Sequence, residues 1–229
     1  MHTALVTGGS AGLGLALVRA LAASEVAVVT DGRSPGALAR IDSPGVTVVP
    51  GDVADPDHRA DLVGVIERLG GLDLLVHNAS TLGPLPMRPL RDLGHDDLRI
   101  AWEVNVAAPL ELTRALLPAL RRCDGVLLSI TSDAAVEHYP TWGAYAATKV
   151  ALEHLTLTLA AEEGLTGYAV DPGDMRTQMQ RDAFPGEDIS DRPEPASVVP
   201  ALLALLDRRP ASGRYRVADL AARVEAAVG

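Results

Sequence analysis

Eight residues near the start of the chain, Thr7-Gly8-Gly9-Ser10-Ala11-Gly12-Leu13-Gly14, limit what it can fold into more than any other stretch. They follow an apolar run at 2–6 that reads as a short buried strand, and they open an apolar-periodic helix over 13–23. A chain that turns from strand to helix through glycines bends tightly and leaves its backbone open to close approach. The same turn aims backbone N–H groups and the positive end of a helix at one spot, which suits a pyrophosphate. A plain tight turn would use glycine as well, but the place of this one, after the first strand and opening a helix, favours phosphate binding.

The alternation of strand and helix continues along the chain. Residues 26–30 read as a second strand running into Asp31, Gly32 and Arg33, and 45–52 as a third ending at Asp52. An amphipathic helix over 56–69 leads to a fourth strand at 73–76, which ends in His77, Asn78, Ala79 and Ser80. After a proline-rich loop, a long helix over 96–122 carries Asn105 and Pro109. A fifth strand at 125–130 delivers Thr131 and Ser132, and a helix begins near Ala144. A sixth strand at 164–170 precedes Asp-Pro-Gly-Asp-Met-Arg-Thr, and a helix at 196–206 and a strand at 214–218 finish the pattern. This predicts an α/β chain: one Rossmann domain over 1–229, a doubly wound parallel sheet of about seven strands with helices on both faces. Residues 175–195, partly helical and holding Phe184 and a Pro-Gly turn, are the expected substrate lid. In such sheets the ligand lies beyond the carboxyl ends of the strands, so the polar clusters there are candidate site residues.

Tyr145 and Lys149 stand four apart, so on a helix they share a face, where an ammonium stabilises a phenolate and lowers the phenol pKa. A surface pair is the ordinary reading of that spacing. Against it, Lys149 is the only lysine among 20 basic residues. Chance would place it four after one of the four tyrosines roughly 2% of the time. Asn105 lies four before Pro109, which has no N–H for its carbonyl, so the helix is expected to distort there and leave a carbonyl free for water. Trp102 and Tyr168 are read as packing residues, and Trp142 as a residue lining a pocket.

Composition enters by exclusion. A net charge of −10 argues against nucleic acid as a partner, and the six histidines show no metal-ligand spacing. The lone Cys123 has no internal partner for a disulfide. The absence of a long apolar run and of a leader-like N-terminus predicts a cytoplasmic protein with no membrane partner. A chain rich in alanine and arginine with one lysine suggests a GC-rich bacterial genome.

These residues resemble the classical short-chain dehydrogenase/reductase family over nearly the whole chain. Thr7, Gly8, Gly12 and Gly14 are similar to its glycine turn, with Ser10 and Leu13 between them; Asn78 and Ala79 match its Asn-Asn-Ala-Gly, and Asp52, followed by Val53, matches its adenine-binding acid. Asn105, Ser132, Tyr145 and Lys149 fall in the order of its catalytic tetrad, and Pro172, Gly173 and Thr177 match the segment that holds the nicotinamide. His77, Ser80 and Asp171 depart from the pattern. The resemblance implies an oxidoreductase that reduces a ketone or aldehyde of a small molecule, with Ser132 and Tyr145 on the carbonyl oxygen. Lys149 would lower the Tyr145 pKa and hold the nicotinamide ribose, and Asn105 would anchor a proton-returning water. It also implies a homodimer or homotetramer built on the two long helices. An NAD-dependent alcohol dehydrogenase and a non-catalytic dinucleotide-binding regulator are the alternatives.

Cofactor choice is read at the end of the second strand. Asp31 is either an acceptor for the ribose or a turn residue; Arg33 and Ser34 either hold a 2′-phosphate or are solvated. Counting on from Gly14, the position of the usual NAD-type acid is Gly32 and the next is Arg33, while strand alternation turns Asp31 away. This register favours NADPH over NAD, although Ala11 lacks the second basic group common in NADP-preferring relatives.

Overall fold

A computed structural model of the protein describes residues 1–220; the rest of the expected 1–229 domain lies outside the described residues. In chain order its elements are β1 (Thr3–Val6), α1 (Gly12–Ala23), β2 (Ala27–Gly32), α2 (Pro35–Leu38), β3 (Val46–Pro50), α3 (Pro56–Leu69) and β4 (Leu74–His77). Then come α4 (His95–Trp102), a π-helical turn at Glu103–Ala107, α5 (Ala108–Arg122), β5 (Val126–Ile130), α6 (Gly143–Glu163), β6 (Thr166–Asp171), α7 (Gln178–Ala183), α8 (Val199–Arg208) and β7 (Gly213–Arg216). All strand pairs are parallel, in the order β3-β2-β1-β4-β5-β6-β7.

The central strands β1, β4 and β5 are buried on both sides and largely apolar, and alternate residues serve opposite cores. Ala4 and Val6 of β1 pack with Leu13, Leu17 and Leu21 of α1 and Leu202 of α8. Leu5, between them, faces Leu62 and Ile66 of α3 and Leu112 and Leu116 of α5. Reversal of strand order at β1 and β4 opens a crevice over their carboxyl ends, the place where doubly wound sheets bind ligands. No helix among the described residues is long and apolar enough to cross a membrane.

Two local features differ from the sequence reading. The second strand runs two residues further than 26–30, because Asp31 and Gly32 pair with Val49 and Pro50 of β3. The long helix over 96–122 is two helices joined by the π turn, which contains Asn105 and lies just before Pro109. A wider turn accommodates the N–H that proline lacks. Trp102, expected to pack, is exposed at 47%.

Candidate active site

The glycine turn is fastened on both sides. Thr7 Oγ1 accepts from the N–H groups of Asn78 and Ala79, each at 3.1 Å, and donates to the Val76 carbonyl. Asn78 Nδ2 donates to the carbonyls of Thr7 and Gly8 at 2.8 and 3.2 Å. Gly8 has a φ of +71°, and a Cβ there would come within 2.9 Å of the Ala79 backbone; a Cβ on Gly14 would strike Asn78 and the Gly8 carbonyl. Thr7 and Gly14 therefore shape the turn from behind, while Gly8, Ser10, Gly12 and Leu13 line a cleft of about 640 Å³. Ala11 gives α1 no side-chain cap, and the first turn has no acidic residue, so its N–H groups face the cleft open to an anion.

Asp31 is the keystone of this end. One carboxylate oxygen accepts from Gly8 N at 2.6 Å, and the other meets His58 Nε2 at 3.0 Å. Both side chains are buried. The imidazole occupies the space that a side chain on Gly51 would need. Sequence reasoning missed His58, since a partner 27 residues away on α3 leaves no periodic signal. Arg33, Asp52 and Val53 line the same end. Ser34 is not among the lining residues; its hydroxyl accepts from Ala37 N as the N-cap of α2.

In the middle of the cleft the ends of β5 and β6 and the start of α6 bring Ser132, Tyr145, Lys149, Pro172, Gly173 and Thr177 together. Lys149 is buried, and its Nζ donates to the Ile130 carbonyl at 2.8 Å and lies 5.5 Å from the Tyr145 ring centroid. Burial pulls its pKa down to about 7. The Tyr145 phenol moves the opposite way from expectation. Burial raises its pKa, the carboxylates of Asp133 and Asp171 add to the rise, and only the hydroxyls of Ser132 and Ser80 beside it favour the phenolate. Lys149, whose Nζ donates to the Ile130 carbonyl, is not among the groups that lower it. Ser132 Oγ donates to Asp133 Oδ1 at 2.9 Å and accepts from Ala134 N, and its own carbonyl accepts from Arg214. Arg214 also reaches Glu153 and Asp171, a tie across β7 that sequence reasoning did not find.

Two expected site residues stand behind the cleft. Asn105 is fully buried and its amide is fully engaged: Oδ1 accepts from Ser80 Oγ and Thr81 N, and Nδ2 donates to the Thr81 carbonyl and Thr148 Oγ1. Its side chain ties the loop after β4 to α6 rather than facing the reacting groups. His77 belongs to the opposite face of β4, where Nε2 meets Thr113 Oγ1 at 2.7 Å and Nδ1 has no partner. Burial and the Lys149 charge hold its pKa down to about 3, so the imidazole stays neutral. Among the described residues no cluster of His, Cys, Asp and Glu could hold a metal ion.

A family model described as short chain dehydrogenase matches residues 2–188. A short chain dehydrogenase of Pseudocercospora fijiensis is 35% identical over an alignment of 193 residues that covers 77% of this chain and 60% of that protein. The structure of a short chain dehydrogenase from Pseudomonas syringae superposes with a TM-score of 0.87 at 33% identity, covering 94% of this chain and 93% of that one. A short chain dehydrogenase from Shigella flexneri, complexed with NADP, superposes with a TM-score of 0.85 at 30% identity, covering 94% and 95%.

Proposed function

We propose, from the premise that this chain belongs to the short chain dehydrogenase family and is an NAD(P)-dependent oxidoreductase, that it is an NADPH-dependent ketoreductase. The observation that carries the reading is one cleft with an uncapped helix N-terminus behind a glycine turn at one end and Ser132, Tyr145 and a buried Lys149 further along it. The residues present fit a dinucleotide: the Gly8–Leu13 backbone for its pyrophosphate, Arg33 and Asp52 for its adenosine half, and Pro172, Gly173 and Thr177 for its nicotinamide. What such a group supplies when bound is hydride for the carbonyl carbon.

The protein's own part is to position the oxygen and give it a proton. Tyr145 and Ser132, its hydroxyl turned from Asp133 to the substrate, donate hydrogen bonds to the carbonyl oxygen, stabilising the charge that develops there, and Tyr145 transfers its proton to it. A phenol whose pKa burial has raised keeps that proton until an alkoxide, a far stronger base, appears beside it. Lys149, with Nζ 5.5 Å from the Tyr145 ring centroid, would hold the coenzyme's ribose and supply positive charge as the phenolate forms. Asn105 acts at one remove, by fixing Ser80 and the turn of α6 that carries Tyr145. Run in reverse, the site oxidises an alcohol. Residues 175–195, which contain α7, serve as the lid of this domain.

NADPH is preferred because Arg33 lines the cleft with its guanidinium uncommitted to any ion pair among the described residues, whereas both oxygens of Asp31 are taken. Arg33→Ala is expected to raise the KM for NADPH by roughly 10- to 100-fold, the loss of a charged hydrogen-bonding partner, and to change that for NADH little. Steady-state oxidation of NADPH and NADH with a panel of ketones tests both proposals. Equal efficiency with the two coenzymes would refute the preference, and binding without turnover would favour a dinucleotide-binding regulator.

The protein also works as a homo-oligomer. Leu98, Ile100 and Trp102 of α4 and Val150 of α6 are each more than 40% exposed, on the helices expected to form the interface. Light scattering at micromolar concentration should return a dimer or tetramer, and a monomer would refute it.

A further inference from the structure

Beyond Tyr145 the cleft changes character. The chain has two Trp, four Tyr and one Phe, and four of these rings gather at this one end. Trp142 lines the cleft and meets Tyr145 edge to face, with ring centroids 5.7 Å apart. Tyr139 packs against its indole at 6.2 Å and Phe184 at 5.7 Å, so the ring is held in place rather than free to swing. Leu82 and Met179 add an apolar wall beside it. A chain so poor in aromatics has placed four of its seven rings, the reacting tyrosine among them, in one cluster.

The charged side chains lining this end are acidic apart from Lys149. Asp133, Asp174 and Asp182 line it, and the only cationic side chains lining the cleft among the described residues are Lys149 beneath the tyrosine and Arg33 at the far end. Asp133 accepts from Ser132 Oγ, Ala134 N and the Tyr139 hydroxyl at 2.8–2.9 Å, and no cation pairs with it among the described residues. Arg192 lies over the Phe184 ring at 4.7 Å and pairs with Asp174 at 3.8 Å, and Arg214 donates to the Ser132 carbonyl at 3.2 Å and pairs with Asp171; neither lines the cleft. A substrate anion would meet Asp133 with no cation paired to it among the described residues, whereas a flat uncharged ring would find an indole, a thioether and a leucine.

We infer that the substrate is an aryl ketone or aldehyde without an acidic group, its ring seated against Trp142 and its carbonyl at Ser132 and Tyr145, and that oxo acids are excluded by Asp133 and its acidic neighbours. This rests on the ketoreductase reading above. The reaction balances as carbonyl plus NADPH plus a proton giving alcohol plus NADP: hydride adds to the carbonyl carbon, and the Tyr145 proton, replaced from solvent, goes to the oxygen. A unit charge held some 6–7 Å from an uncompensated carboxylate in a half-buried site costs enough to slow an acidic substrate about 10- to 100-fold.

The test compares kcat/KM with NADPH for 4-methylacetophenone, 4-acetylbenzoate, butan-2-one and pyruvate. The neutral aryl ketone is expected to exceed each of the other three by at least 10-fold. Asp133→Asn should shrink the ratio of 4-methylacetophenone to 4-acetylbenzoate, and Trp142→Leu the ratio of 4-methylacetophenone to butan-2-one. Within each variant the ratio cancels a general loss from disturbing Ser132 or the fold. Equal or better turnover of 4-acetylbenzoate, pyruvate or butan-2-one in the wild type overturns the inference and leaves the ketoreductase reading intact. If no carbonyl is reduced, that reading falls; calorimetric binding of 4-methylacetophenone and 4-acetylbenzoate then decides the substrate class, a tenfold tighter neutral ketone supporting it and equal affinities overturning it.

Discussion

Tyr145→Phe is expected to cut ketone reduction by about 10²- to 10⁴-fold, the usual consequence of removing a general acid. The phenyl ring keeps the contact with Trp142, and the phenol oxygen is the only atom lost, so coenzyme affinity should change little. Tyr145 is only 7% exposed, so the packed ring holds its place in the variant and the loss is that of the proton donor. Stopped-flow turnover read beside a coenzyme titration separates the two effects, and a variant that turns over at the wild-type rate would remove Tyr145 from the mechanism.

Lys149→Arg is the second large effect expected, a loss of roughly 10²- to 10³-fold in kcat/KM, as when one preorganised electrostatic group is removed. The guanidinium is wider than the ammonium and cannot take the single 2.8 Å bond to the Ile130 carbonyl in the same space. The two side chains also differ in how they titrate. Lysine here has a folded pKa of about 7 against 10.5 unfolded, so between those values the unfolded chain binds the proton and the folded one does not. Stability from this group is therefore lowest below pH 7 and rises toward pH 10.5, whereas an arginine stays charged throughout and gains nothing. Denaturant midpoints of wild type and variant should diverge as pH rises through that window. Parallel curves would mean that the buried amine is not held near neutrality.

How much was legible in the sequence depended on how local the cause was. The helix Pro56–Leu69 has the bounds expected of it because its signals are adjacent: Asp55 caps it, Pro56 starts it, and Gly70, with a φ of 87°, ends it. The distortion at Asn105 was legible for the same reason, since it follows from the proline four residues on. The end of β2 was not, because its last two residues are held by β3, whose register no local pattern encodes. Side-chain partners were the least legible. Asp31 with His58, Asn105 with Thr148, and Arg214 with Ser132 are joined across 27, 43 and 82 residues, and only the folded sheet brings them together. The tyrosine and lysine were found by their spacing, but the direction of the phenol pKa was not, because burial is a property of the fold.

The clasp of Asp31 with Gly8 and His58 has a bearing on how such a protein can diversify. The carboxylate that shapes the glycine turn sits in the sheet at position 31, and the Arg33 guanidinium lines the cleft two residues later, outside the strand. On the proposed coenzyme reading, shape and selectivity would then be carried by nearby residues with no shared hydrogen bond. Drift at position 33 would retune which coenzyme is taken while the turn survives intact, whereas a change at position 31 would unsettle the turn itself.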